Sequence, residues 1–224
     1  TIRVDCWNGL VFVCLDESAA SLRDWLGDIP AIADAFPRNA GMRWHGDVEK
    51  SGRVNWKTYG DNSCEGYHVG MVHKALGKSV GRDAVTIQAY PKGGFVGFDV
   101  EYRATDQDPS RRGHGFWIYK FPGLLLHFAP FSFNAETVSP LAVNRVHTRR
   151  WFWSDHTVCA REGVSSSDFI ESSRQVMHED MGICERVQTN LESGVYSSGY
   201  LSAHDEVGTI FFQQQVRSAM GNSL

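Results

Sequence analysis

Hydrophobic and polar residues alternate with period two from the start of the chain, where Ile2, Val4 and Cys6 are separated by Arg3 and Asp5. That is the pattern of a half-buried strand. Asn8-Gly9 and the apolar run LVFVCL follow at once, so the first seventeen residues predict a hairpin closed by a two-residue turn. A lone hairpin is marginal in water, so this one is expected to belong to a sheet whose other strands lie upstream of Thr1. Residues 18–40 read as a connector with one short helical pattern, SLRDWL. Long strand-like runs then come at MRWHGDVEK, AVTIQAY, GFVGFDVEYRA, GFWIYKF, LLLHFAP and VNRVHTRRWFW. A large antiparallel sheet accommodates them most simply. The stretch DQDPSRRG at 106–113 predicts a polar turn or loop.

The last third changes period. Asp168 and Glu171 have capping-pair spacing, and Phe169, Val176, Ile183, Val187 and Leu191 fall within about 80° of one another on a helix. These predict a buried stripe. Asp180 lies within it, where an unpaired carboxylate is costly, so a cationic group is expected to face it. A second helix is predicted from Glu206 to Ala219.

Composition narrows the class of function. The 224 residues are 42% hydrophobic and 21% charged with a net charge of −4, which suits a globular domain burying roughly 70–75% of its unfolded surface. No basic footprint for nucleic acid is present, and a small-molecule partner is expected. No apolar run reaches membrane-spanning length and no export signal is evident, so a cytoplasmic location is expected. Five cysteines without a C-x-x-C argue against a disulfide framework or a cysteine zinc site and predict buried thiols.

Candidate chemistry concentrates in NWKTYGDNSCEGYHVGMVH, residues 55–73. His68 and His73 are five residues apart, about 140° on a straight helix, so the helix must end or distort between them, and Gly70 is placed to permit it. Two imidazoles and one carboxylate with other positions open form the facial triad of non-haem Fe(II) oxygenases. His68, His73 and Asp180 supply that set. Glu65 precedes His68 by three residues, on the same helical face, and suits an acceptor for the imidazole N–H. By itself H-x4-H is a common pattern in a chain of nine histidines. His178-Glu179-Asp180 spells an H-x-D, yet positions two apart diverge by about 200° on a helix and cannot chelate there. Cys64 beside His68 is a weak nucleophile pair, because Asp61 and Glu65 oppose a thiolate. The aromatic runs Phe95–Phe98, Phe116–Phe121 and Trp151–Trp153 could line a substrate cavity or form plain core.

The segment N-W-K-x3-D-N-x2-E-G-Y-H-V-x3-H resembles the iron-binding signature of the Rieske non-haem iron oxygenases, the α subunits of ring-hydroxylating dioxygenases and their monooxygenase relatives. HEDMGICERVQTNLESGVY, residues 178–196, resembles the helix that carries the aspartate ligand in choline-monooxygenase-type members. The resemblance covers roughly residues 1–217. It implies an α+β fold, a large curved antiparallel sheet with helices packed over it in a helix-grip-like arrangement. It also implies iron ligation by His68, His73 and Asp180. Glu65 matches the acid that bridges an iron-ligand histidine toward the Rieske cluster of a neighbouring subunit, and Asn62 matches a family residue near the iron.

By the same resemblance, residues 1–17 are the closing hairpin of a Rieske domain and 18–224 the mononuclear iron domain. The implied activity is hydroxylation or cis-dihydroxylation of a small, aromatic organic substrate with O2. Electrons would come from NAD(P)H through a reductase or ferredoxin and a Rieske [2Fe-2S] cluster. A homotrimer, with or without a β subunit, is the implied assembly. The departure is that neither the C-x-H nor the C-x2-H pair needed for the cluster occurs in the chain. Rival readings are monooxygenation or N-demethylation of a quaternary amine, a non-catalytic binding module with the same cavity, and a zinc hydrolase at the same triad.

Overall fold

The structure is a computed structural model that describes residues 2–36, 41–80, 84–103, 113–161, 163, 165–196 and 198–221. The chain opens with β1 (Arg3–Trp7) and β2 (Leu10–Cys14), paired antiparallel. Asn8 and Gly9 adopt φ of 49° and 79°, the left-handed pair that matches strand twist in a tight hairpin. Two short helices follow, α1 (Leu22–Leu26) and α2 (Ile29–Ala33). The serine of SLRDWL caps α1, its side chain accepting from the Asp24 amide.

Seven strands make the main sheet: β3 (Arg43–Gly52), β4 (Val85–Tyr90), β5 (Phe95–Tyr102), β6 (Gly113–Lys120), β7 (Leu124–Ala129), β8 (Ser132–Ala142) and β9 (Arg145–Ser154). Their order is β3-β9-β8-β7-β6-β5-β4, antiparallel throughout. Between β3 and β4 lie α3 (Trp56–Ser63), α4 (Val69–Val72) and α5 (Leu76–Ser79). After β9 come α6 (His156–Arg161), the 27-residue α7 (Ser166–Glu192) and α8 (Val207–Met220).

The sheet separates two apolar clusters, as period-two alternation requires. Leu26, Ile29, Phe95, Phe116, Leu126, Phe128 and Phe133 pack with Trp7 and Leu10 on one face. Val96, Phe98, Val100, Tyr119 and Leu125 meet Tyr59, Met181, Cys184 and Phe212 on the other. The second face carries α3, α7 and α8, and it holds the site.

Several expectations change. The sequence pattern misses β8, because its inward side chains include Asn134 and Glu136, both buried, and Pro140 sits at a register shift. The buried row of α7 is Ser173, Met177, Asp180, Met181, Cys184 and Gln188, whereas Val187 and Leu191 are 41% and 40% exposed. The helix is turned toward β3, where the Met181 sulfur lies 2.0 Å from where a Cβ on Gly52 would sit. Only a glycine permits that approach. Asp168 and Glu171 do not cap α7: its N-cap is Ser165, and Glu171 pairs with Arg174. Of the five thiols, Cys64, Cys159 and Cys184 are buried, but Cys6 is exposed and Cys14 half-buried. The polar stretch at 106–112 lies outside the described residues. No helix among the described residues is long and apolar enough to cross a membrane.

Candidate metal centre

Asn55 starts α3 by accepting from the Lys57 amide, and its own amide donates to Gln188 on α7 at 2.9 Å. This fixes the entrance of the site segment against the long helix. After α3 ends at buried Cys64 the chain runs through a non-helical turn. The contact between Glu65 and His68 is therefore made by that turn, not by a shared helical face. Glu65 Oε2 accepts from the His68 amide at 3.2 Å. His68 and His73 flank the single turn α4 as its N-cap and C-cap. Gly70 stays inside α4; the helix ends at His73, with φ −98° and ψ 80°.

The two imidazoles meet a carboxylate more than a hundred residues later. His73 Nε2 lies 3.1 Å and His68 Nε2 3.4 Å from Asp180 Oδ1. Asn62 Nδ2 donates to the same oxygen at 2.8 Å. The outer ring nitrogens are engaged as well. His68 Nδ1 is hydrogen-bonded to Glu65 Oε1, and His73 Nδ1 lies 2.8 Å from Glu179 Oε2, whose other oxygen accepts from Gln175. His73 and Asp180 are buried at 2% and 8% exposure.

Burial opposes charge on His68, but bonds to Asp180 and Glu65 outweigh it and raise its pKa to about 9. Burial would likewise raise Asp180, yet the two imidazoles hold it well below the usual carboxylate range. The cationic partner expected for Asp180 is thus the histidine pair.

One ligand atom from each of His68, His73 and Asp180 lies within 4.8 Å of the others. Adjacent ligands around a first-row metal at ~2.1 Å bond lengths stand ~3 Å apart, and the 3.1 and 3.4 Å separations match. Carboxylates on both Nδ1 atoms fix the tautomer that leaves Nε2 free to ligate. The residues fit a divalent metal. Glu179, which the sequence reading passed over, stands to His73 as Glu65 stands to His68. Its signal was its place beside Asp180. Glu179→Gln is expected to lower Fe(II) affinity about 10–100-fold with secondary structure unchanged, read by chelator competition.

A cavity of about 140 Å3 opens beside this cluster, comparable to the ~150 Å3 that admits benzene. Phe98 and Trp117 from two of the aromatic runs line it, joined by Phe131 and Phe169. Trp151 and Trp153 do not: Arg149 covers the first and the second packs on Phe133. His127, Asn134 and Arg150, also passed over, form a polar part of the wall. Each breaks the apolar run or alternation of its strand, the one mark it leaves in sequence. Burial pushes the Cys64 thiol well up, with Asp61 and Glu65 adding to it, which removes it as a nucleophile. His178 points away from the cavity and meets Lys50 Nζ at 3.0 Å. A second acid–histidine group, Asp99, Glu101 and His114, lies on the surface.

Residues 40–222 match the family described as ring hydroxylating alpha subunit (catalytic domain). The chain is 24% identical over 209 residues to the carnitine monooxygenase oxygenase subunit of Escherichia coli K12, covering 87% of this chain and 53% of that protein. It is 24% identical over 217 residues to the chloroplastic choline monooxygenase of Atriplex hortensis, covering 88% and 46%. The chain thus spans about half the length of these relatives. A solved quaternary ammonium Rieske monooxygenase superposes with a TM-score of 0.83 at 20% identity over 97% of this chain and 61% of that one. Naphthalene 1,2-dioxygenase superposes at 0.71 with 16% identity, over 96% and 63%.

Proposed function

The chain belongs to the ring-hydroxylating α-subunit family of Rieske oxygenases, and from that membership we propose that it is an oxygenase catalytic domain whose His68, His73 and Asp180 hold mononuclear Fe(II). The observation that carries the proposal is the convergence of two carboxylate-backed imidazoles and one buried aspartate within 4.8 Å at the wall of an aromatic-lined cavity. When bound, iron supplies the binding and reductive activation of O2 beside an organic substrate. The protein's own residues supply the setting. His68, His73 and Asp180 would hold the metal at the cavity wall. Asn62 holds Asp180 Oδ1 in place. Phe98, Trp117, Phe131 and Phe169 seat the substrate and exclude water.

Glu65 is the proposed bridge between His68 and a Rieske [2Fe-2S] cluster supplied by a neighbouring subunit, with electrons from NAD(P)H through a reductase or ferredoxin. Residues 1–17 would close that Rieske domain and 18–224 form the iron domain. The hairpin supports this division, since Val4, Val11, Val13 and Leu15 are 62–79% exposed on it and await a cover. A homotrimer in the cytoplasm completes the reading. The substrate is a small organic molecule, hydroxylated or cis-dihydroxylated.

Anaerobic purification followed by metal quantitation tests the site. Near one Fe per chain, with O2 uptake dependent on NADH and reductase in the protein carrying its Rieske domain, is the expected result. Stoichiometric zinc with hydrolytic turnover would establish a hydrolase instead, and a metal-free chain that binds small molecules would establish a carrier.

A further inference from the structure

The wall of the cavity contributed by the sheet is apolar at Phe98, Trp117 and Leu125 but carries a polar patch at His127, Asn134 and Arg150. His127 on β7 stands opposite Asn134 on β8, and Glu136 on β8 stands opposite Arg150 on β9. Strand alternation puts all four on the face beneath the helices. Glu136 is fully buried and takes Arg150 Nε at 2.7 Å, Arg150 Nη2 at 2.5 Å and the Tyr59 hydroxyl at 3.1 Å. The Arg150 charge is therefore cancelled by Glu136, while the Arg150 side chain still lines the cavity. Asn134 is only 6% exposed, and its Oδ1 has no hydrogen-bond partner. Burial and the nearby Arg150 push His127 down to about 3 against the opposing pull of Asp180 and the adjacent Asn134 side chain, so its ring is neutral and has one donor and one acceptor nitrogen.

Buried polar groups are rarely left unpaired, because the lost hydrogen bonds to water are not recovered. One such oxygen, Asn134 Oδ1, on a cavity wall beside the His127 ring and the Arg150 guanidinium calls for an occupant that completes it. We propose that His127, Asn134 and Arg150 form a recognition site for an uncharged polar head that both accepts and donates hydrogen bonds, such as a carboxamide, on a substrate whose apolar body lies against Phe98 and Trp117. This deepens the oxygenase reading and rests on it for what happens to the bound molecule. An N–H or O–H on the head meets Asn134 Oδ1, and its acceptor faces the His127 ring and the Arg150 guanidinium. A carboxylate head would sit beside Glu136 and within the field of Asp180. A quaternary ammonium in its place would sit beside Arg150. The neutral Arg150–Glu136 pair selects against both.

The test is binding without turnover, on the intact chain under nitrogen, with and without Fe(II), by calorimetry. The probes are benzamide, benzoate, phenyltrimethylammonium and toluene. Benzamide is expected to bind at least about tenfold more tightly than each of the others, since a site built to hydrogen-bond penalises ligands that leave its groups unpaired. His127→Phe and Asn134→Leu should each remove most of that preference, with circular dichroism and thermal melts reporting that the variants are folded. Toluene, benzoate or phenyltrimethylammonium binding as tightly as benzamide, no binding of any probe, or a preference that survives both variants would overturn the proposal. Failure of the oxygenase reading has a separate signature: an intact benzamide preference in a chain that takes up no iron and consumes no O2.

Discussion

Asp180→Ala is expected to abolish tight iron binding, with a loss of Fe(II) affinity on the order of a hundredfold or more, because a direct ligand outweighs the outer contacts that alone cost 10–100-fold. Oxygenase turnover should disappear with it. The metal-free protein should also lose stability. An aspartate in an apolar stripe, viewed in sequence alone, could be removed with no cost or even some gain. In the fold, however, Asp180 Oδ1 is the point where Asn62, His68 and His73 meet. Alanine leaves those groups buried without their acceptor. The imidazoles can discharge, so the full penalty of a stranded ion pair is avoided, and the expected loss is about 1–3 kcal/mol. For a chain of this size that is a fall in Tm of about 2–12 °C. Iron quantitation and thermal melts of the chelator-treated variant check both parts. Stoichiometric iron in Asp180→Ala would remove Asp180 from the ligand set.

Glu65→Gln is expected to separate electron delivery from metal binding. All three proposed ligands survive, and glutamine can still accept one hydrogen bond from His68, so most of the iron should remain. NADH-driven turnover, measured with the Rieske domain and reductase present, should nevertheless collapse by about two orders of magnitude or more, as expected when a residue needed only for the transfer step is lost. A peroxide-driven single turnover needs no electrons from the cluster and should fall far less. Equal loss in both assays at full iron would assign Glu65 to the oxygen chemistry itself. Loss of iron would leave it only the task of orienting His68. Glu65 is 8% exposed and holds both the amide and the ring of His68, so the two tasks are mechanically linked and only the paired assays divide them.

Much of this protein is written locally. Asn8-Gly9 sets the hairpin because few residues tolerate two successive positive φ angles. Six of the seven strands in the main sheet and the helix α8 follow from apolar periodicity. The candidate ligands are likewise legible: His68 and His73 lie in one dense segment, and Asp180 stands out because a carboxylate within an apolar helix face needs a partner.

What the tertiary structure alone decided is where pattern and burial part company. The strand β8 hides because Asn134 and Glu136 are buried polar residues, and periodicity reads burial only through apolarity. The true buried row of α7 is turned away from its most apolar one, since packing of Met181 over Gly52 and the approach of Asp180 to the histidines govern the rotation. The backing of His73 by Glu179 and the neutralisation of Arg150 by Glu136 join segments separated in sequence. Each of these groups looks costly or incidental by itself. Its cost is cancelled by a partner on another element, and no periodicity along one element records which residue of another will face it.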